Sequence, residues 1–118
     1  MVHEMKLNVE PFEKIRLGRK KMELRLFDEK RQKLDIGDII IFSRLPDMED
    51  KVAVEVRGLC RFTTFEDLFA TISPDMCGID VETAEKKATL MRKYYSEEKE
   101  KKYGVLGIKV ELIDIVTG

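Results

Sequence analysis

Metal-binding side chains are scarce in this chain. It has one histidine, His3, and two cysteines, Cys60 and Cys77, with no CxxC pair. A structural zinc site needs about four nitrogen or sulfur ligands, so no metal is expected, and the two cysteines are expected to be buried apolar fillers. No apolar run approaches the ~18 residues of a membrane span, and no signal-peptide pattern is present. A cytoplasmic protein without membrane contact is therefore the default expectation. A large net charge is also missing. Lys+Arg number 22 against 23 Asp+Glu, a formal charge of −1, which excludes a protein that coats nucleic acid by charge alone. Nothing matches a glycine-rich phosphate loop or a Ser/His/Asp set, and no cofactor is implied. There is no internal repeat, linker or low-complexity segment.

What is present is enough for one core. The 118 residues, 43% of them apolar, fit a single domain over residues 1–118. Charged residues reach 38%, above the usual ~25%, and they are unevenly placed. Residues 14–33 hold nine Lys/Arg against three acids, a local net of about +6 that leaves the remainder acidic. Such a segment is either a solvated charged stretch or a face that steers an anionic ligand to one place.

Alternation and helix signals divide the chain. Residues 3–7 read as a strand. Asn8 then caps a helix with Pro11 in its first turn, Phe12 and Ile15 on one face, and Gly18 as its stop. Residues 20–27 alternate, with Met22, Leu24 and Leu26 on one side and Lys21, Glu23, Arg25 and Phe27 on the other. One or two helical turns are expected over Asp28 to Leu34. A turn at Gly37-Asp38 leads into a buried strand at 39–42, and residues 45–50 form a loop. The alternation of Val52, Val54 and Val56 marks a strand that runs toward Phe62.

Thr63-Thr64-Phe65-Glu66 has capping-box spacing before a helix with Phe65, Leu68, Phe69 and Ile72 on one face. Ser73-Pro74 ends it, and Asp80 is expected to cap a longer helix over about 81–95. Residues 97–102 are a mixed-charge run at a helix end or in a loop, and Leu106 to Leu112 alternate as a last strand. One-sided strands without regular crossover helices predict an α+β fold, with a small mixed β-barrel of about five to six strands and flanking helices.

Glu23 and Arg25, two apart on a strand, project from one face, and Lys20 stands where that strand begins. A carboxylate between two cations stays ionised and holds both in place, and arginine can grip a phosphate or carboxylate with two prongs. The trio is either an ion-pair network that fixes the strand or a ligand site. Tyr103, before Gly104, either stacks on a base or packs its ring and wets its hydroxyl. Tyr94 and Tyr95 are adjacent, so on a helix one can be core and the other exposed. His3 reads as an ordinary polar residue of the first strand.

The stretch Gly18-x-Lys20-x-x-Glu23-x-Arg25 resembles the G-x-K-x-x-E-x-R signature of ASCH domains (activating signal cointegrator homology), small barrels of the PUA-like superfamily. Gly37-Asp38-Ile39-Ile40, Thr64-Phe65-Glu66-Asp67-Leu68-Phe69 and Tyr103-Gly104-Val105-Leu106 agree, so the resemblance spans roughly residues 3–113. It implies a PUA-like barrel with a cleft beside the signature and a ligand that is RNA, a nucleoside or a nucleotide. On this reading Lys20, Lys21, Glu23, Arg25, Arg19 and Tyr103 are the candidate binding residues. Some small ASCH proteins are amidohydrolases on acetylated cytidine, with a lysine at the position of Lys20, a threonine at that of Glu23 and a later glutamate. Here the lysine is kept and Glu23 replaces the threonine. If this chain is an enzyme, Lys20 and Glu23 are its candidate base and acid.

Overall fold

The computed structural model describes residues 1–79 and 84–116. Five strands and four helices follow one another as β1 (Val2–Leu7), α1 (Val9–Arg16), β2 (Met22–Leu26), β3 (Ile39–Arg44), β4 (Lys51–Phe62), α2 (Phe65–Thr71), α3 (Ala84–Met91), α4 (Glu97–Tyr103) and β5 (Val105–Val116), with short 3-10 turns at Arg31–Lys33 and Pro74–Cys77. The strands form one mixed sheet in the order β1-β3-β4-β5-β2. Only β1 and β3 are parallel, Val2 opposite Ile39 and Leu7 opposite Arg44. The pairs β3–β4, β4–β5 and β2–β5 are antiparallel. This is the expected α+β fold with its five strands. The barrel is incomplete, because β1 and β2 are its two edges and do not pair. Arg25 of β2 spans the seam with its side chain, Nη2 donating to Lys6 O of β1 at 2.9 Å, and Lys30 Nζ donates to Glu4 O on the same edge. Two cations thus satisfy carbonyls that an open edge would leave to water.

The alternation in each strand sorts side chains onto two faces, and each face has its own core. One cluster joins Met5 and Leu7, Ile40 and Phe42, Val52, Val54 and Val56, and Leu106, Ile108 and Val110, closed by Phe12 and Ile15 of α1. Burying each such side chain fully is worth about 1.5–3 kcal/mol. The other cluster joins Met22, Leu24 and Leu26 to Phe65, Leu68 and Phe69 of α2, with Cys77, Met91 and Val105. The apolar row of β2 therefore packs under helices, while Glu23 and Arg25, opposite Ile108 and Leu106, share the face of the first cluster.

Several expectations change in detail. The cap of α2 is Thr64, whose hydroxyl accepts from Asp67 N, one residue later than the Thr63-to-Glu66 spacing implied. Asn8 stands at the N-cap of α1 but its side chain does not cap. The run 97–102 is itself helical, with Ser96 accepting from Lys99 N and acids in its first turn facing lysines in its last, an arrangement that suits the helix dipole. The expected Asp80 cap and helix positions 81–83 lie outside the described residues, and that helix ends at Met91, short of 95. Cys77 is buried as expected, but Cys60 is exposed. The register shift between Val56 and Gly58 breaks the phase of β4, so alternation read from Val52 to Val56 does not carry on to Cys60.

Candidate functional site

Three backbone devices place Lys20. Gly18 ends α1 in the left-handed region, φ 74°, where a side chain would be strained. The next two amides, of Arg19 and Lys20, both donate back to Lys14 O. Lys21 N then donates to Met76 O, and Lys21 O accepts from Val110 N, pinning the start of β2 between the Pro74–Cys77 turn and β5.

From there the trio assembles as its spacing implied. Lys20 Nζ sits 2.9 Å from Glu23 Oε1. Arg25 donates to Glu23 Oε2 from Nε at 3.0 Å and from Nη2 at 2.8 Å, and Leu24 N donates to Oε1 at 3.2 Å. The Glu23 side chain is 4% exposed, Lys20 11% and Arg25 15%. Burial alone would push the Glu23 carboxyl up, but the charges and hydrogen bonds of Lys20 and Arg25 outweigh it, so the carboxyl is held below its usual value and is ionised at neutral pH. Burial opposes the Arg25 charge as well, and Glu23 more than compensates, so that its value is raised.

The trio forms one wall of a cleft of about 510 Å³, within the ~300–1,000 Å³ typical of ligand sites. Asn8, Pro11 and Lys14, along α1 and its N-cap, form a second wall, and Cys77 to Ile79 with Met91 and Lys93 to Tyr95 form the third. Five cationic side chains, Lys6, Lys14, Lys20, Arg25 and Lys93, line it against Glu10 and Glu23. Tyr95 stacks on Phe65 with ring centroids 5.5 Å apart, while Tyr94 stands at the rim, 59% exposed. The two tyrosines divide as expected, although they lie in the turn after α3. Burial raises the Tyr95 phenol, with Arg25 opposing. Burial also pushes the Cys77 thiol up to about 11, with Lys20 lowering and Glu23 raising it, so Cys77 is a thiol at neutral pH and is not poised as a nucleophile.

Gly78 is the tightest point of the third wall that the two lysines approach. Its φ is +67°, and a Cβ there would stand 3.1 Å from Lys20 Cβ and 3.2 Å from Lys14 Cδ. Its carbonyl accepts from Lys14 Nζ at 2.7 Å. The sequence alone did not single out Gly78, Lys6, Lys14 or Lys93 as site residues. A glycine directly after the Pro74–Cys77 turn was the available local signal. Farther out, Glu100 is buried and binds Arg92 Nη2 at 2.9 Å while accepting from Phe65 N at 3.2 Å. This clasp ties the tyrosine turn to α2 and α4.

Of the six candidate binding residues the structure brings three together. Arg19 and Lys21 are exposed and do not line the cleft. Tyr103 lies in a separate, shallow hollow with Arg61, Lys101 and Lys102; its ring packs against the second core and its hydroxyl donates to Glu29 Oε1 at 3.1 Å. The basic segment 14–33 is not one face either. Arg16 pairs with Glu13 and Arg31 with Asp28, and Lys30 is spent on β1. Among the described residues no group of three or more His, Cys, Asp or Glu side chains is gathered as a metal would need, and no helix is long and apolar enough to cross a membrane.

The family model of the ASCH domain matches residues 5–114. The chain belongs to the ASCH domain family. Among solved structures it is similar to the hypothetical protein PH0355, at 37% identity over 96% of this chain and 100% of that one, with a TM-score of 0.86. It is also similar to protein PF0455 from Pyrococcus furiosus, at 34% identity, 97% and 99% coverage and a TM-score of 0.75. The ASCH protein from Zymomonas mobilis shares the fold at 11% identity, with 98% of this chain and 73% of that chain covered and a TM-score of 0.56. No curated protein sequence matches the chain.

Proposed function

We propose that this ASCH domain binds RNA or a nucleotide, with one nucleotide unit of a single strand seated in the cleft beside Lys20, Glu23 and Arg25. The observation that carries this reading is the ion-paired wall itself: a buried carboxylate holds two cations rigidly at the side of a cleft rimmed by further lysines and a tyrosine. Fixed cations recognise phosphate and base acceptors. Tyr94 offers a face on which a base can stack, and single-stranded RNA presents bases that can be splayed into such a pocket. The association of the PUA-like fold with RNA points the same way.

The test is binding of short single-stranded RNA by fluorescence anisotropy across a salt series. Lys14 is held by Glu10 Oε1 at 3.1 Å and by Gly78 O at 2.7 Å, so Lys6 and Lys93 can together meet about two phosphates, and log K should fall with log salt with a slope of about −1.4. A flat response, or no binding at low salt, would overturn the reading. The competing reading is an amidohydrolase on an acetylated cytidine-type nucleoside. The arrangement of Glu23 favours binding over that chemistry, because its carboxyl is ionised and both its oxygens are engaged, so it is no ready proton donor. Conversion of acetylated cytidine to cytidine that is lost in Lys20→Ala would reverse this preference.

A further inference from the structure

The nucleotide-binding reading leaves open which face of a ligand meets the ion-paired wall, and a count of hydrogen-bonding capacity bears on it. An ionised carboxylate offers about four acceptor positions. At Glu23 all four are in use: Oε1 faces Lys20 Nζ and Leu24 N, and Oε2 faces Arg25 Nε and Nη2. Two nearby carbonyls each already accept a side-chain hydrogen bond, Lys6 O from Arg25 and Gly78 O from Lys14. Donors, by contrast, are in surplus. Arg25 Nη1 has no partner among the described residues, and Lys20 Nζ has three hydrogens and one ion-pair contact. Both side chains line the cleft and keep some exposure.

Resting on the proposed function, we infer that the inner wall of the cleft is a donor-rich subsite that takes two adjacent acceptors of a ligand and rejects a ligand donor at either of those two positions. The acceptor pair has two possible sources in a nucleotide. One is a base edge with neighbouring acceptors, O6 and N7 of guanine or O2 and N3 of cytosine. The other is a pair of phosphate oxygens. Adenine presents N7 beside an amine on the corresponding edge, and uracil sets a ring N–H between its two carbonyls. Either of these would place a donor against Arg25 or Lys20. A donor meeting a donor leaves both unpaired in a half-buried site, which is the strongest form of rejection that hydrogen bonding provides.

The experiment is calorimetric titration of the wild-type chain with GMP, CMP, AMP, UMP, 7-deaza-GMP, ribose 5-phosphate and inorganic phosphate. A bidentate contact discriminates by about fivefold or more. GMP, CMP or both should therefore bind at least fivefold tighter than AMP and UMP. If guanine is read through N7, 7-deaza-GMP should fall to the AMP level. Ribose 5-phosphate binding as tightly as the best nucleotide would also support a donor-rich wall and assign the acceptors to phosphate. AMP or UMP preferred, or all four nucleotides bound alike and well above ribose 5-phosphate, would overturn this inference while leaving the nucleotide reading intact. No binding by any probe would overturn both. Because the discrimination is read on the ligand side, the result does not depend on an Arg25 or Lys20 variant folding.

Discussion

Replacing Glu23 by glutamine keeps the side-chain shape and removes the charge that Lys20 and Arg25 share. The cost follows from where the three groups sit. Breaking a fully buried pair by deleting one partner costs about 3–5 kcal/mol, whereas an exposed pair is worth ~0–1 kcal/mol. Here the carboxylate is buried, at 4% exposure, but the cations keep 11% and 15% and border an open cleft. Water can therefore relieve part of the repulsion, and a loss of about 2–3 kcal/mol is expected. At this chain length that corresponds to a fall in Tm of roughly 6–18 °C. The control Glu98→Gln, on the exposed first turn of α4, should lose at most about 1 kcal/mol through the helix dipole.

The pH dependence has a definite sign. The folded Glu23 value lies below the ordinary 4.5, so its stabilisation is complete above about pH 4.5 and is lost as the pH falls through the folded value. The gap in Tm between wild type and Glu23→Gln should accordingly narrow on acidification. Thermal melts of the three proteins at neutral and acid pH decide the matter. Equal melting of Glu23→Gln and Glu98→Gln, or a gap that widens in acid, would refute the reasoning.

Gly78→Ala should destabilise by about 1–2 kcal/mol because of the left-handed backbone. It should also weaken RNA binding severalfold by displacing Lys20 and Lys14, and anisotropy titration beside a melt checks both. Glu100→Gln should cost about 1–3 kcal/mol, since it weakens a buried, charge-assisted contact to Arg92 and to Phe65 N, and chemical denaturation measures it. Asp38 accepts from His3 Nε2 at 2.8 Å and from Asp35 N at 3.0 Å, and the hydrogen bond from His3, then that from Asp35, hold its carboxyl down at about 2. Its stabilisation is present above about pH 3.8 and fades as the pH falls toward 2, so Asp38→Asn should flatten the stability profile across that window in urea melts.

The fold was largely legible because its strands are one-sided. Residues 52–56 and 106–110 alternate as a half-buried sheet must, and Gly18 stands where a helix has to reverse. The trio was legible for the same reason, since a period of two puts Glu23 and Arg25 on one face whatever the tertiary structure. The rest of the cleft was not, because it is assembled from distant segments. Lys6 comes from the edge of β1, Lys14 from α1, and Cys77 to Ile79 and Lys93 to Tyr95 from segments on either side of α3, whose neighbours Cys77 and Met91 pack with α2 over Leu24 and Leu26. The excess of lysine and arginine over 14–33 pointed to a basic face, but Arg16 and Arg31 pair within their own turns, and only Lys14, Lys20 and Arg25 of that segment line the cleft, joined there by Lys6 and Lys93. Arg19 and Lys21 flank Lys20 in sequence, yet the backbone pinned between Met76 and Val110 leaves them outside. The free edge of β1 was equally hidden, since nothing local to Lys6 announces that Arg25 will reach its carbonyl.

The most direct measurement is a 1H–15N correlation spectrum of the labelled protein titrated with a short single-stranded RNA at low salt. The account predicts shifts concentrated at Lys20 to Arg25, at Cys77 to Ile79 and at Lys93 to Tyr95, with little change at Arg61 and Lys101 to Tyr103. Shifts confined to the Tyr103 hollow, or none at RNA concentrations where related single-strand binders saturate, would contradict it.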